Sequence, residues 1–324
     1  MIKKAMVLSA GLGTRLRPLT DHRPKPLVPI LNLPLLEHHL QQLKTLGVEE
    51  VVVNLHHLAD QIQHHLGDGS NIGLQIHYSM EEPKVLGTGG GIAAVEEVFK
   101  DEDAFLVVNG DIFHDIDLRS AVQHHLDSKA SATLIVREHP GDPKVGSVDV
   151  DQEGWIRRVP EMPNDASLYK RMYTGLQILT PQIFPYLREL PPPPSCILRT
   201  GYRRMLEDGH TVGSYHVESS FWKDIGNPAS YLQSQWDAMD QNKTKLSSSE
   251  SDGINMVGPV LLGQNVTWEE GVTVGPYVVI GNGSHIGSNA TLQRTVVWDK
   301  TNVPAQSNWN HVIAWDDVVV EVES

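Results

Sequence analysis

Residues 9–29, Ser-Ala-Gly-Leu-Gly-Thr-Arg-Leu-Arg-Pro-Leu-Thr-Asp-His-Arg-Pro-Lys-Pro-Leu-Val-Pro, hold the residue types that a polyphosphate demands. Gly11 and Gly13 let backbone N–H groups approach phosphate oxygens with no side chain in the way. Arg15 and Lys25 add positive charge, and Pro24 and Pro26 restrict the backbone on either side of Lys25. Two carboxylates elsewhere could hold a divalent cation. Asp111 closes an apolar run in Asn109-Gly110-Asp111, where a carboxylate is costly unless it meets a cation, and Asp224 stands in Phe-Trp-Lys-Asp-Ile-Gly-Asn-Pro at 221–228. Mg²⁺ suits such a pair, because it takes one or two carboxylates together with substrate phosphates.

These residues need elements to position them. The apolar run 5–8, bounded by Gly11, reads as a buried parallel strand, so the glycines leave a strand's carboxyl end, where open α/β sheets bind ligands. Pro34 and the spacing of Leu36, Leu40, Leu43 and Leu46 predict a helix ended by Gly47, and residues 51–54 a second buried strand. A helix over 58–66 and a strand over 74–78 follow. Gly87-Thr88-Gly89-Gly90-Gly91 then reads as a second backbone-exposing loop, ahead of a helix ending near Phe99, with a strand at 104–108. This alternation implies an α/β, Rossmann-like doubly wound sheet. From Ser131 strands near 133–136, 146–150 and 171–179 predict an antiparallel extension, making the sheet mixed. Helices are expected at 181–190 and 196–208, and Asn227-Pro228 caps one that runs to about Met239.

The polar stretch 241–252 reads as a linker between a catalytic domain over 1–240 and a small domain over 253–324. Beyond it Leu262, Trp268, Val274, Ile280, Ile286 and Leu292 fall six apart. A six-residue apolar repeat marks a parallel β-helix, each hexad forming one side of a triangular coil. This tail resembles left-handed hexapeptide domains, and a structural or oligomerising role, hence a homo-oligomer, is expected of it. An acyltransferase role is the alternative, but the coils are few and His285 reads as a coil-surface residue.

The formal net charge of −14 argues against nucleic acid or an anionic membrane as partner. Basic charge gathers beside the first glycine loop, where Lys3, Lys4, Arg15, Arg17, Arg23 and Lys25 face Asp21 alone within residues 1–25. A small polyanion fits that distribution. No apolar stretch approaches ~20 residues and no signal peptide opens the chain, so a cytoplasmic location is expected. The single Cys196 excludes an intrachain disulfide. Of 16 histidines several are paired, as His38-His39, His56-His57, His64-His65 and His124-His125; without zinc spacing they read as solvated surface residues.

The whole string G-x-G-x-R-x-x-P-x-T-x-x-x-P-K-P resembles the signature of the sugar-1-phosphate nucleotidylyltransferases. Asn-Gly-Asp at 109–111 and Trp-Lys-Asp-Ile-Gly-Asn-Pro at 222–228 look like that family's metal-binding aspartate motifs, and Leu-Gly-Thr-Gly-Gly-Gly at 86–91 like its nucleobase loop. Tyr-Thr-Gly-Leu-Gln-Ile-Leu at 173–179 is similar to the strand lining its sugar pocket. The resemblance implies a nucleotidyltransferase fold, Mg²⁺ held by Asp111 and Asp224, and catalytic roles for Arg15 and Lys25. Nucleotide binding falls to Ala10, Gly11, Gly13, Thr14, Glu82, Gly87, Thr88 and Asn109, and sugar binding to Gly146, Glu161, Thr174 and Gly175. One departure stands out. The family's Glu-Lys-Pro is Glu161-Met162-Pro163 here, so either another cation such as Lys223, Lys170 or Arg171 meets the incoming sugar phosphate or the sugar differs.

The implied partners are an NTP and a sugar-1-phosphate, joined with release of pyrophosphate. Glu82 could accept from guanine's N1–H and amino group, which favours GTP and mannose-1-phosphate. Uridylyl or thymidylyl transfer to N-acetylmuramate-1-phosphate or glucose-1-phosphate is the alternative. A catalytically silent nucleotide-binding subunit is a third reading, against which the retention of Arg15, Lys25, Asp111 and Asp224 together speaks.

Overall fold

The computed structural model describes residues 2–142, 145, 147–188, 191, 193–241, 243 and 253–323. The linker expected at 241–252 lies almost wholly outside the described residues, as does Gly146.

The apolar runs of the amino-terminal half pair with one another as strands β1 (Lys4–Leu8), β2 (Glu50–Leu55), β3 (Gln75–Met80) and β4 (Phe105–Asn109). All four run parallel, in the spatial order β3-β2-β1-β4. Ala5, Met6 and Val7 of β1 are fully enclosed, as a central strand covered on both faces requires. Strand order reverses at β1. In an open sheet that reversal is where the carboxyl ends leave room for a ligand, and β1 and β4 are neighbours there.

Helices α1 (Leu35–Leu46), α2 (Ala59–Leu66) and α3 (Gly87–Ala93) fall between these strands, and α4 (Leu118–Ser128) follows β4. The buried face of α1 is Leu36, His39, Leu40 and Leu43, and that of α4 is Leu118, Ala121, Val122 and His125. His39 and His125 are therefore core residues at helical spacing, which corrects the reading of the paired histidines as solvated. His124 beside His125, and both members of the pair His64-His65, are exposed as expected.

Strands β5 (Ala132–Glu138), β6 (Ser147–Val150), β7 (Ile156–Arg158), β8 (Tyr169–Leu179) and β9 (Val212–His216) complete a mixed sheet of nine strands among the described residues. The long β8 is the hinge of its topology, running antiparallel to β4, β5 and β6 at once. Phe99, Phe105 and Phe184 stack in series beneath it, with ring centroids 4.3 and 5.7 Å apart.

By density of contact the chain divides into two units. One comprises Met1–Leu12, Pro24–Pro26 and Leu36–Trp222, and the other Gly13–Arg23, Leu27–Leu35 and Lys223–Ser324. In the second unit, α5 (Pro228–Asp240) opens on a capping box. Asn227 accepts from Ser230 N–H at 2.9 Å, while the Ser230 hydroxyl accepts from the Asn227 N–H at 3.0 Å.

The carboxyl-terminal part of this unit coils through three sheets whose strands pair in parallel, except that Val318–Glu321 returns antiparallel to Val312–Trp315. Ile254 pairs with Val272, Val260 with Val278 and Thr267 with His285, each eighteen residues on, so three hexads make one turn. The offset falls to seventeen from Val279–Val296 onward, where the coil loses one residue at a corner. Val274, Ile280, Ile286 and Leu292 are fully enclosed inside the coil. A three-sided parallel β-helix is the fold that the hexads anticipate. Among the described residues no helix is long and apolar enough to cross a membrane.

Candidate active site

At the end of β1 the backbone turns outward through Gly11, Leu12, Gly13, Thr14 and Arg15, between the buried Ala10 and Leu16. A Cβ on Gly11 would meet nothing within 4 Å, so its amide is approachable from outside. Gly13 has φ 63°, and its carbonyl accepts both the Leu16 N–H at 2.9 Å and the Thr20 hydroxyl at 2.8 Å. Those bonds close the loop into a tight turn with Thr14 and Arg15 on its exposed side.

Lys25 lies in a short turn, Lys25–Leu27, with its side chain only 10% exposed. Its ammonium donates to Asp111 Oδ2 at 3.0 Å. Asp111 itself is 40% exposed, so one side of this carboxylate faces outward while the other meets the buried cation. The second candidate carboxylate is paired as well. Arg15 Nη1 stands 3.9 Å from Asp224 Oδ2, both side chains being well exposed. Thus each candidate aspartate is paired with one of the two basic residues expected beside a phosphate.

Asp111 is held by backbone contacts of the sheet end. Gly110 N–H donates to Leu8 O at 2.9 Å, and a Cβ at Gly110 would lie 2.7 Å from that same oxygen. The glycine is what lets β4 and β1 end side by side. Three residues beyond Asp111, burial pushes the His114 imidazole down to about 4, with Asp115 opposing. Burial also pushes His39, 5.7 Å away ring to ring, well below the usual histidine range.

A residue that the sequence reading missed ties two loops together. Glu81 is 1% exposed, accepts from Asn54 Nδ2 at 2.7 Å through Oε1, and accepts from Leu86 N–H at 2.7 Å through Oε2. Asn54 in turn accepts from Ser9 N–H at 2.6 Å. The end of β1 and the start of α3 are therefore linked through one buried amide and one buried carboxylate. Glu82, the residue nominated for guanine, is exposed.

The glycines of 87–91 do not form a loop ahead of a helix; they are the helix α3. Close neighbours, both backbone and side chain, supply the reason. A Cβ at Gly87 would lie 2.6 Å from Ser195 O, one at Gly89 3.3 Å from Ile197 N, and one at Gly91 2.8 Å from Glu81 Oε1. Ser195 N–H donates to Leu86 O and Gly89 N–H to Ser195 O, both at 2.8 Å, and Thr88 Oγ1 accepts from Ile197 N–H at 3.0 Å. This segment is packed against 195–197, and the Thr88 hydroxyl oxygen is engaged there.

The residues nominated for the sugar are spread over two environments. Thr174 is fully buried and its hydroxyl donates to Ile135 O at 2.8 Å, while its carbonyl accepts from Trp222 Nε1 at 2.8 Å. Gly175, at φ 86°, packs on Asn109, whose Cβ would be 3.0 Å from an added one. Glu161 is exposed and stands 3.4 Å from Arg199 Nε. Met162 packs against the core of the sheet, which explains an apolar residue in place of lysine. Of the cations nominated to replace it, Lys223 pairs with Asp237 and Arg171 with Glu138. In the β-helix, His285 contacts Thr267 and Glu269 on the coil surface.

The profile described as nucleotidyl transferase matches residues 4–241, and that described as bacterial transferase hexapeptide (six repeats) matches 259–294. The chain is 31% identical to the mannose-1-phosphate guanylyltransferase of Mycobacterium tuberculosis, over 93% of this chain and 81% of that protein. It is 30% identical to the UTP–glucose-1-phosphate uridylyltransferase of Synechocystis, over 91% and 83%. Among solved structures, a putative glucose-1-phosphate thymidylyltransferase from Bacillus anthracis superposes with a TM-score of 0.65 at 22% identity, covering 76% of this chain and 98% of that one. That last likeness is one of fold.

Proposed function

The chain belongs to the nucleotidyl transferase family, as a sugar-1-phosphate nucleotidyltransferase, and from that premise we propose that it joins GTP to mannose-1-phosphate, giving GDP-mannose and pyrophosphate. The observation that carries the reading is the Lys25–Asp111 pair at the carboxyl ends of two adjacent parallel strands. A buried ammonium there can pass from a carboxylate to a phosphate oxygen without leaving its place.

In this reading an oxygen of the sugar phosphate attacks the α-phosphorus in line, and pyrophosphate leaves. The nucleophile is already an anion, so no general base is needed. The chain's task is to align the two phosphates and offset their charge. Gly11 and Gly13 offer backbone N–H groups, Arg15 meets the triphosphate, and Lys25 holds the α-phosphate.

Asp111 and Asp224 are the candidate Mg²⁺ ligands. Among the described residues no group of three or more His, Cys, Asp or Glu side chains could hold a metal. Mg²⁺ needs only one or two carboxylates, since it keeps several waters and takes phosphate oxygens for the rest. When bound, Mg²⁺ would offset phosphate charge and polarise the leaving group.

Guanine is supported by the exposed carboxylate of Glu82 beside α3 and by the guanylyltransferase of M. tuberculosis. The uridylyltransferase of Synechocystis favours UTP and glucose-1-phosphate as a second reading. Pyrophosphate release across four NTPs and a panel of sugar-1-phosphates, with Mg²⁺, tests both. Fastest release from GTP and mannose-1-phosphate is expected. Faster release from UTP and glucose-1-phosphate transfers the substrate assignment, and no release from any pair contradicts the reading altogether.

A further inference from the structure

The segment that brackets Lys25 in sequence is gripped within the second unit by α5 and the β-helix. Arg23, two residues before Lys25, lays its guanidinium 4.4 Å from the ring centre of Trp298. Trp298 is 1% exposed and stacks on Trp315 at 4.9 Å. Its Nε1–H donates to the Tyr231 hydroxyl at 2.9 Å, and that hydroxyl donates to Pro29 O at 2.7 Å. Pro29, four residues after Lys25, also accepts from Gln235 Nε2 at 3.0 Å.

The grip extends through the following hairpin. Pro29–Ile30 pairs with Leu33–Pro34, and the turn between them places Leu31 and Asn32 at φ 50° and 65°. Two successive non-glycine residues in the left-handed region persist only where their surroundings hold them. Here Leu31 N–H donates to Gln235 Oε1 at 2.7 Å, and Asn32 Nδ2 donates to Ile280 O at 2.8 Å. Tyr231 and Gln235 are one helical turn apart, so a single face of α5 serves both contacts. The ring of Trp298 is polarised for both its tasks: its face attracts a cation and its edge N–H donates.

We propose that Trp298 and Tyr231 are positioning residues for Lys25, so that the hexapeptide tail is a brace for the phosphate-binding segment. This rests on the reading of Lys25 given above. The brace acts on the chain to either side of the lysine: a cation–π contact fixes Arg23, and a relay of hydrogen bonds fixes Pro29. A tail that served only assembly would have no reason to bury a tryptophan under a residue of that segment.

The test uses the full chain and the substrate pair that releases pyrophosphate fastest. Trp298→Ala and Arg23→Gln are expected to lower kcat by about tenfold or more, with KM for both substrates within about threefold of the parent. Arg23→Lys keeps the cation and Trp298→Phe keeps the ring face, so each is expected to recover most of the loss. The double variant Trp298→Ala with Arg23→Gln should lose little more than either alone.

A second readout needs no turnover. Amide exchange at Leu31 is expected to quicken about tenfold in Trp298→Ala and in Tyr231→Phe. Should Trp298→Ala fail to fold, Arg23→Gln and Tyr231→Phe, which remove less, decide the matter. Parental kcat in folded Arg23→Gln and Tyr231→Phe, with Leu31 exchange unchanged, overturns the brace. A parent that turns over no substrate pair overturns the proposed function instead, while the exchange data still judge the brace.

Discussion

Glu81 and Glu82 are adjacent, identical in chemistry and opposite in circumstance. The carboxylate at 81 is enclosed and receives two N–H donors, while that at 82 is exposed. Sequence identifies what a carboxylate could do but not which of two neighbours a strand end turns inward, and so Glu82 alone was legible as a site candidate. Removing Glu81 leaves the Leu86 N–H and the Asn54 amide without partners in a buried place. Glu81→Ala is therefore expected to cost about 2 kcal/mol or more in urea unfolding, against less than about 0.5 kcal/mol for Glu82→Ala. Lys25, Asp111, Arg15 and Asp224 were legible because each stands in a motif with little freedom, and in the structure they form two ion pairs. Met162 shows the limit in the other direction: its sequence position marked a departure, and only packing against the core gives the departure a physical reason.

Helices and strands were readable wherever periodicity governs them. The leucine spacing of α1, the Asn227-Pro228 start of α5 and the hexads of the tail all appear where expected. Asn227→Ala, which removes the acceptor for Ser230 N–H, is expected to lower stability by about 1 kcal/mol. Helix α3 was not readable, since glycine runs are poor helix formers in isolation. What makes this one a helix is the close approach of Ser195–Ile197, a contact over a hundred residues away in sequence. Gly87 has φ 78° and no room for a methyl group beside the Ser195 backbone. Gly87→Ala is accordingly expected to destabilise by about 2 kcal/mol or more, measured as a lowered urea midpoint with unchanged slope. The histidines of α1 and α4 belong to the same lesson, because a polar residue at a core position of a helix is found by counting the period through it.

For the molecule as a whole, the buried histidines predict how stability depends on pH. His114 and His125 each titrate at about 4 when folded, both driven down mainly by burial, against an ordinary value of 6.5. Between those values the unfolded chain takes up protons that the folded chain refuses, so stability is full above about 6.5 and falls as pH drops toward 4. On the order of 2 kcal/mol per histidine should be lost at pH 5 relative to pH 7, seen as a lowered denaturant midpoint, and His125→Gln should flatten the dependence. The division into units was the least legible feature. Residues 13–23 and 27–35 fall with the carboxyl-terminal part while 24–26 fall with the large sheet, because contacts, rather than order along the chain, decide membership. The proposed activity has the Lys25–Asp111 pair as its chemical centre. Pyrophosphate release by Lys25→Ala and Asp111→Ala, both checked for parental unfolding curves, tests that centre most directly. A fall of about a hundredfold or more in each is predicted, and turnover within about threefold of the parent in both contradicts it.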